Sequence, residues 1–486
     1  MTAYSRHDLL PPDRLERLEG WGMSTVGVSH VYRPNDIEGI STVLDTARRS
    51  GRSVAMRGAG RSYGDASLNA EGVVLDLTRM RRILQWDPHT GRISVEPGVT
   101  IQHLWQYTIE DGWWPAVVPG TMFPTLGGCL GMNIHGKNNW KVGPIGDHVI
   151  DFDILLTNGE LLTCSRESNS ELFHAAIGGF GMLGVVTRIT LQLKRVYSGL
   201  LDVTAYSAKN FDALFELFEA RLASADYLVG WIDCFAAGAD LGRSIVHDAN
   251  YLHAGEDARP RQTLRVENQE LPDTILGLVP KSIMWRLMKP VTNDAGLRFV
   301  NAGKYVSGDV MSNGAKHEQS HAGFSFLLDY VPNWKLAYKP GGLIQYQSFI
   351  PADRAKRVFT SQIALSQRYG IVPYLGVFKR HRPDAFLMTH ALDGYSFALD
   401  YKITDTNRGK LLSLTAEMDR LVVANGGRFY FAKDSTLNPA AWAEAMGTDR
   451  ISQFAALKRE LDPETLLQTN LYRRVVAPAL SNSLPR

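Results

Sequence analysis

The first 195 residues alternate between helical and strand-like spacing of their apolar positions. The spacing from Ile37 to Ala47 predicts a helix that Asn35 and Glu38 cap and Gly51 ends. Short apolar or β-branched runs predict strands at 53–57, 73–77, 93–96 and 185–193, and a hairpin at 154–164 that turns at 158–159. This part of the chain is predicted to be α+β with tight glycine turns.

The pattern changes near residue 196. Helical spacing at 211–223, 352–369 and 410–424 alternates with strand-like runs at 343–350, 374–378 and 395–401. This order predicts an antiparallel sheet flanked by helices, while residues 248–316 show no regular pattern. Beyond residue 424, an apolar run at 429–431 and a helix near 451–461 predict a C-terminal segment that packs into the hydrophobic core of the first region.

Three regions are therefore predicted. The first, residues 1–195, would bind a ligand through its glycine-rich clusters. The second, residues 196–420, would bind substrate, and residues 421–486 would return to the first. At roughly 100–200 residues per domain, 486 residues allow two or three domains.

Composition excludes several classes of protein. Lys and Arg number 52 against 50 Asp and Glu, a net charge of +2, which argues against a nucleic-acid coat protein. No apolar run reaches the length of a membrane span, and residues 1–17 lack the apolar core of a signal peptide. The three cysteines, Cys129, Cys164 and Cys234, form no CxxC pair, so neither a disulfide framework nor a zinc site is expected. A cytoplasmic protein is expected.

The 44 glycines are clustered, and the first cluster follows a predicted strand. Its sequence is RGAGRSYGD, from Arg57 to Asp65, with glycines at 58, 60 and 64. Closely spaced glycines let backbone N–H groups turn inward around a diphosphate, and Ser62 adds a hydroxyl donor. The spacing is not that of the GxGxxG dinucleotide fingerprint, and alone it is weak evidence.

Two more clusters follow. The second combines Pro119-Gly120-Thr121, the run 125–128 and the run 133–137, which contains His135 and Lys137. The third, residues 177–186, immediately precedes a predicted strand. Turns alone would not explain a His and a Lys in the same glycine-rich stretch.

In this order and spacing, the three clusters resemble the FAD-binding domain of the vanillyl-alcohol oxidase (para-cresol methylhydroxylase) superfamily. The resemblance covers about residues 20–195 and the tail, and three ordered motifs are more specific than one. It implies a two-subdomain FAD-binding domain joined to a substrate-binding cap domain. The first cluster would hold the FAD diphosphate, the second the ribityl and isoalloxazine parts, and the third the adenine side.

Further motifs narrow the resemblance to the decaprenylphosphoryl-β-D-ribose oxidases. They are the runs 57–65, 134–138, 345–347, 378–380 and 432–435. These enzymes oxidise the 2-hydroxyl of a lipid-linked ribofuranose to a ketone, and a short-chain reductase partner completes the epimerisation to arabinose for the cell envelope. The resemblance is strong before residue 195 and after 340, and weak between about 200 and 335.

The resemblance implies specific site residues. The FAD-binding positions would be Arg57, Gly58, Ala59, Gly60, Arg61, Ser62, Tyr63, Gly64, Gly120, Thr125, Leu126, Gly127, Gly128, Met132, Asn133, Ile134, His135, Gly184, Val186 and Tyr430. The active-site positions would be His135, Lys137, Gln347, Lys379 and Lys433.

Two positions depart from the pattern. Many superfamily members carry a flavin-linked His immediately before the Ser of the first cluster, where this chain has Arg61. The FAD is therefore expected to be non-covalent. Mycobacterial members of the narrower family have a Cys where this chain has Ala398, which leaves the substrate and thiol-directed inhibition open.

The residues leave the catalytic base open between Lys433 and His135. Lys433 follows Tyr430-Phe431-Ala432 in what reads as an alternating strand, so an inward Lys would need an anion as partner, whereas an outward Lys would be a surface residue. His135 could instead be a satisfied core histidine, but its position beside Lys137 in a glycine-rich loop favours a role at the flavin site. Gln345 and Gln347 share one face of a strand and could bind sugar hydroxyls if that face lines the cleft.

The apolar segment 276–291 has a basic edge at Lys281, Arg286 and Lys289. It could dip into a membrane interface to collect a polyprenyl lipid, or it could be a core helix of the second domain. The other functions considered are an alditol or sugar-lactone oxidase of the same superfamily, and a flavin-binding partner protein without turnover.

Overall fold

A computed structural model describes residues 10–275 and 277–482. The ends of the predicted first and last regions, and Leu276 of the apolar segment, lie outside these residues. The described chain is α+β, as predicted. No helix within it is long and apolar enough to cross a membrane.

The first region contains two sheets. Strands Val54–Arg57, Val73–Asp76 and Val26–Tyr32 pair in parallel, and Leu15–Glu19 pairs antiparallel at the edge. An antiparallel sheet follows, in the order Ile83–Asp87, Arg92–Val95, Val185–Gln192, Val149–Leu155, Leu161–Ser165. The strands that the sequence predicted here, including the hairpin, are confirmed to within two residues at nearly every end.

The helix Ile37–Ser50 connects two of the parallel strands. Gly51 ends it at φ 68°, a left-handed conformation that glycine adopts without steric cost. The predicted capping pair is wrong. The N-cap is Asp36, whose carboxylate accepts from the Gly39 N–H at 2.7 Å, because Asp36 is the residue held in the extended conformation that a cap requires.

An eight-stranded antiparallel sheet forms from residues after 199. Its order is Lys316–Ser320, Leu200–Ala208, Ser244–Tyr251, Tyr227–Ile232, Leu375–His381, Gly394–Lys402, Leu343–Pro351, Arg428–Phe429. Helices Phe211–Arg221, Ala352–Tyr369 and Arg408–Ala424 pack on it through one apolar core. The antiparallel sheet with flanking helices was predicted.

Other helices of the described chain are shorter or lie outside that core. They are Ile101–Thr108, Leu126–Gly131, Asn139–Val142, Ser170–Ala176, Pro260–Thr263, Val266–Gln269, Lys281–Met288, Asp294–Ser307, His321–Ser325, Pro439–Met446, Thr448–Leu461 and Ala477–Asn482. The expectation of no regular structure across 248–316 is wrong. Helix Asp294–Ser307 forms there because Asn293 caps its N-terminus and Leu297 packs against the sheet's core.

The C-terminal segment packs against the first region. Val54 N–H donates to Leu466 O at 2.7 Å, which joins the tail to the parallel sheet. Buried Lys458 Nζ donates to Asp462 Oδ2 at 2.6 Å and to the carbonyls of Met182 and Leu467, each at 2.8 Å. One ammonium group therefore holds the tail and the third glycine cluster together.

Replacing Lys458 with Met should lower the free energy of unfolding by about 3–5 kcal/mol, because it leaves the Asp462 carboxylate buried without its cation. Urea denaturation of the FAD-loaded protein measures the loss. The matched control is Arg459→Met on the same helix, where the side chain is exposed and the expected change is within about 0.5 kcal/mol. Equal losses in the two variants would contradict this role for Lys458.

Candidate active site

A cavity of about 480 Å³ is lined by all three glycine clusters and by one face of the eight-stranded sheet. This volume lies within the range of ligand-binding pockets. The turn after strand Arg428–Phe429 supplies Tyr430, Ala432 and Lys433 to its wall. Motifs nearly 400 residues apart in the chain therefore meet around one space.

The first two clusters touch each other without room for side chains. A Cβ at Gly58 would lie 2.0 Å from Thr125 Oγ1, which joins the two clusters. In the second cluster, a Cβ at Gly127 would lie 2.7 Å from Pro97 Cβ, in the loop after strand Arg92–Val95. Gly60 has a φ of 62°. Glycine is required at these points for the loops to approach each other and expose backbone to the cavity. This is a cradle suited to a phosphate-bearing ligand.

Arg61 lies at this cradle, and no carboxylate of the described residues forms an ion pair with its guanidinium group. Its guanidinium lies over the rings of Trp21 and Phe123, 4.2 and 4.9 Å from their centroids. Its Nε is buried and has no hydrogen-bond partner in the described chain. Aromatic faces hold a cation in place and leave its donors free. Arg61 is therefore available to an anionic ligand.

Asp329 joins the second cluster to the cap region. Its carboxylate accepts from the Thr121 hydroxyl and from the Met122 N–H, both at 2.7 Å. Burial raises the pKa of Asp329 to about 6, and these bonds and Arg61 act in the opposite direction. Leu328, beside it, lies 3.5 Å from a Cβ built on Gly120.

The sheet presents a polar row to the cavity. Gln345 and Gln347 alternate along strand Leu343–Pro351, and in the neighbouring strand they are paired with Asp400 and Ala398. One strand further, Lys379 is paired with Ser396. Because strand side chains alternate between faces, these groups lie on the same side of the sheet.

Lys433 faces this row. The prediction that it lies in an alternating strand is wrong: the strand ends at Phe429, and Lys433 lies in the following turn, where its N–H donates to Tyr430 O at 3.0 Å. Its Nζ lies 4.0 Å from the centroid of the Tyr63 ring. Burial and Lys379 lower its pKa below the ordinary range, while Asp400 acts in the opposite direction.

Asp400 is the carboxylate next to this lysine. Gln345 Nε2 donates to its Oδ1, and its Oδ2 is buried without a hydrogen-bond partner in the described chain. Burial raises its pKa, and Lys433 opposes that rise. Sequence reasoning missed Asp400, although it lies two residues beyond Ala398 and therefore on the same face of that strand.

Two further lysines line the cavity. Burial lowers the pKa of Lys379 to about 8. Lys137 Nζ donates to Ser325 O at 3.1 Å and to Phe324 O, and its pKa is lowered well below the usual range by burial and by Lys379. Neither has an ion-pair partner among the described residues. The cavity therefore favours an anionic ligand.

His135 is packed among rings. Gln347 Nε2 lies 3.2 Å from its Nε2, and the rings of His381 and Tyr430 lie 4.9 and 5.2 Å away. Burial and neighbouring cations, Lys379 first, lower its pKa well below the usual range, so the imidazole is neutral. Its Nδ1 has no hydrogen-bond partner in the described chain.

Away from this polar row the sheet face becomes mostly apolar. Val229, Trp231, Leu375 and Val377 line the cavity there, together with His247, which is paired with Val229 in the neighbouring strand. Lys304 closes this end, with its Nζ 4.3 Å from the centroid of the Trp231 ring. Sequence reasoning missed Trp231 and Lys304, because motif similarity is weakest between residues 200 and 335.

Most of the residues expected at the site line this cavity. They are Arg57, Gly58, Ala59, Gly60, Arg61, Ser62, Tyr63, Gly120, Thr125, Gly127, Gly128, Met132, Ile134, His135, Lys137, Gly184, Val186, Gln347, Lys379, Tyr430 and Lys433. Gly64, Leu126 and Asn133 are not among its lining residues. Asn133 instead holds the loop from behind, since its Oδ1 accepts from the Gly146 N–H at 3.0 Å.

The amino-acid sequence of this chain is similar to those of several known proteins. Residues 28–165 match the FAD binding domain family. Decaprenylphosphoryl-beta-D-ribose oxidase of Mycolicibacterium smegmatis is 29% identical over 477 residues, which cover 96% of this chain and 98% of that protein.

Two lactone oxidases match over shorter stretches. L-gulonolactone oxidase of Bos taurus is 30% identical over 161 residues, 33% of this chain and 36% of that enzyme. D-arabinono-1,4-lactone oxidase of Yarrowia lipolytica is 24% identical over 207 residues, 41% of this chain and 38% of that enzyme.

The predicted cofactor, FAD, is confirmed by the matching domain, and the glycine cradle and the free Arg61 donors are suited to its diphosphate. Similarity to decaprenylphosphoryl-beta-D-ribose oxidase extends over nearly the whole of both chains. The chain therefore contains an FAD binding domain, is an FAD-dependent oxidoreductase, and is similar to decaprenylphosphoryl-beta-D-ribose oxidase along nearly its whole length.

Proposed function

We propose that this oxidoreductase oxidises a secondary hydroxyl, the 2-hydroxyl, of a polyprenylphosphoryl ribofuranose to a ketone. The product would be reduced by a short-chain reductase partner to complete a ribose-to-arabinose epimerisation. The proposal is supported by the similarity to an enzyme named for a lipid-linked ribose, over 96% of this chain.

The observation that carries the proposal is the polarity of the cavity. Amides and lysines lie where the glycine clusters meet the sheet, and Val229, Trp231, Leu375 and Val377 line the space beyond them. A sugar suits the first part, a phosphate suits the lysines, and a prenyl chain suits the apolar end. A free sugar lactone has neither the charge nor the apolar chain.

The residues that would hold FAD are those of the three clusters. Backbone groups of Gly58, Gly60 and Ser62, with the Arg61 guanidinium, would bind the diphosphate. Arg61 occupies the position where a covalent histidine link would form, so the cofactor is held without one. When bound, FAD accepts the hydride from the carbinol carbon.

Lys433 would serve as the base in this reaction. Its pKa is lowered by burial and by Lys379, so a neutral amine is available near neutral pH to take the hydroxyl proton. Asp400 beside it would stabilise the resulting ammonium. Lys379 would supply positive charge next to the reacting centre.

His135 and Gln347 would orient the sugar. The imidazole is neutral and bonded to the Gln347 amide, an arrangement that fixes a donor–acceptor pair and keeps the charge on the lysines. Gln345, held by Asp400, would present its carbonyl oxygen to a second hydroxyl. Lys137, tied to Phe324 and Ser325, would face the phosphate.

Two other functions compete with this one. A sugar-lactone or alditol oxidase is favoured by the matches to L-gulonolactone and D-arabinono-1,4-lactone oxidases, but these cover at most 43% of this chain and not its cap region as a whole. A flavin-binding partner protein that catalyses no reaction would not require three lysines beside the amides of Gln345 and Gln347.

The deciding experiment is anaerobic. The FAD-loaded protein is mixed with a polyprenylphosphoryl ribose, and the visible flavin band is followed. We expect bleaching with the lipid-linked ribose and none with free alditols or lactones. Bleaching by alditols or lactones alone would establish the lactone-oxidase alternative, and a band that no sugar bleaches would favour the non-catalytic one.

Replacing Lys433 with Met should slow flavin reduction by the lipid-linked ribose by about 100-fold or more, because the proton acceptor is lost. The wild-type rate should rise with pH through the lowered pKa of Lys433, since only the neutral amine accepts a proton. Stopped-flow absorbance across a pH series measures both. The control is Lys410→Met at an exposed position, which should leave the rate of flavin reduction and its rise with pH unchanged. A Lys433→Met variant that retains the wild-type rate and the same pH dependence would show that Lys433 is not the base.

Replacing Gly58 with Ala should weaken FAD binding about tenfold or more, because the added Cβ would lie 2.0 Å from Thr125 Oγ1 and spread the two clusters. Flavin content and reconstitution titrations measure the effect. Gly409→Ala is the control, since a Cβ there meets nothing within 4 Å.

The flavin of the wild-type protein should separate from the chain on acid precipitation, because Arg61 cannot form the histidine link. Flavin that stays with the precipitated protein would contradict the non-covalent assignment.

The three predicted regions remain part of this proposal. We assign FAD binding to residues 1–195 with the tail 421–486, and substrate binding to 196–420. The cytoplasmic side of the membrane remains the predicted location, where a polyprenyl substrate and a soluble reductase can both be reached.

A further inference from the structure

Exposed apolar side chains are concentrated in one segment. Of the nineteen large hydrophobic residues that are exposed in the described chain, nine lie between residues 278 and 311. They are Leu278, Ile283, Leu287, Val291, Phe299, Val300, Val306, Val310 and Met311. Such a concentration on the surface of a folded protein marks an interaction site. The alternative of a core helix for this segment is wrong, since helix Lys281–Met288 has no buried residue.

The exposure follows from the packing of helix Asp294–Ser307. Leu297, Asn301 and Tyr305 face the sheet: Leu297 joins its core, Asn301 Nδ2 lies 3.4 Å from Tyr374 O, and Tyr305 packs against the cluster that contains Trp231. The opposite face carries Phe299 and Val306, which are 80% and 54% exposed. The helix therefore carries apolar side chains on two opposite faces, and the sheet covers only one of them.

The charge of the segment is positive. Residues 278–311 contain five basic and two acidic residues. Both acids are engaged: Asp294 accepts from the Tyr374 hydroxyl at 2.9 Å, and Asp309 accepts from the Ser207 hydroxyl. Among the basic residues, Lys281 is paired with Asp273 at 3.0 Å, and Lys304 and Arg298 contact the aromatic rings of Trp231 and Phe235. Arg286 and Lys289 are exposed and have no ion-pair partner among the described residues.

We propose that the 278–311 segment docks on the surface of an anionic lipid bilayer. Its apolar side chains would enter the interface while Arg286 and Lys289 meet lipid phosphates. A membrane of anionic lipid matches the apolar and the basic character together, whereas a protein partner would need acidic groups placed opposite each of these side chains.

The segment also borders the cavity. Lys304, on the inward face of the same helix, lines the apolar end of the cavity next to Trp231. Docking would bring that end to the bilayer, so a prenyl chain could pass from lipid to protein without crossing water. Docking on the bilayer does not depend on the proposed substrate. Only the transfer of a prenyl chain into the cavity rests on the proposed function.

The test uses the FAD-loaded protein and sedimentation with phosphatidylcholine vesicles, with and without phosphatidylglycerol. We expect binding to the anionic vesicles that weakens with salt. The triple variant Phe299→Ser, Val306→Ser, Val310→Ser should bind about tenfold more weakly or worse. Changing Arg286 and Lys289 to Gln should cost about fivefold per charge.

The matched control polarises three exposed leucines elsewhere. Leu84, Leu161 and Leu412 are 46%, 47% and 49% exposed, and their replacement by Ser should leave vesicle binding unchanged. A wild-type protein that ignores anionic vesicles, or a control triple variant as defective as the test variant, would overturn the proposal. So would light scattering that shows self-association lost only in the test variant, because the face would then be a protein interface. Since sedimentation involves no turnover, its outcome is independent of the substrate assignment.

Discussion

The constraint on which the site depends is the enclosure of several lysines in one cavity with few carboxylates to balance a positive charge. Lys137, Lys379 and Lys433 line the same space, and Asp400 is the carboxylate whose charge acts on Lys433. Keeping an ammonium away from water is costly, and the cost is expressed as lowered pKa values. The same cost makes the cavity bind an anion more tightly than water would allow, and it supplies a neutral amine where a proton must be accepted.

The fold provides this enclosure by bringing distant segments together. Glycine clusters on one side can approach only because no Cβ stands between Gly58 and Thr125. The sheet on the other side contributes side chains from five of its strands. Lys458 then fixes helix Thr448–Leu461 against the third cluster, which closes the first region around the ligand side of the cavity.

Local signals in the sequence predicted several strands of the first region and the sheet strands between residues 343 and 402, but none of the sheet strands between residues 200 and 320. Periodicity found helix Ile37–Ser50 and strand Leu343–Pro351, because burial on one face imposes a period that single residues reveal. It failed where tertiary contacts decide. Lys433 lies in a turn whose direction is set by Tyr430, and Asp400 could have been found only by extending the alternation from Ala398. The segment 278–311 has regular helices whose apolar residues point outward, a pattern that periodicity alone cannot distinguish from a core helix.

Asp329 gives the molecule a property that neither of its two regions has alone. One of its oxygens accepts from Thr121 and the other from Met122, so the cavity-lining run 327–329 is bonded to a loop of the second glycine cluster. A ligand held by that loop and a ligand held against Leu327 and Leu328 would therefore act on the same two hydrogen bonds. Two ligands that favour one such contact must each raise the affinity of the other by the same factor. Asp329 is thus the carboxylate through which the two sides of the cavity would be coupled.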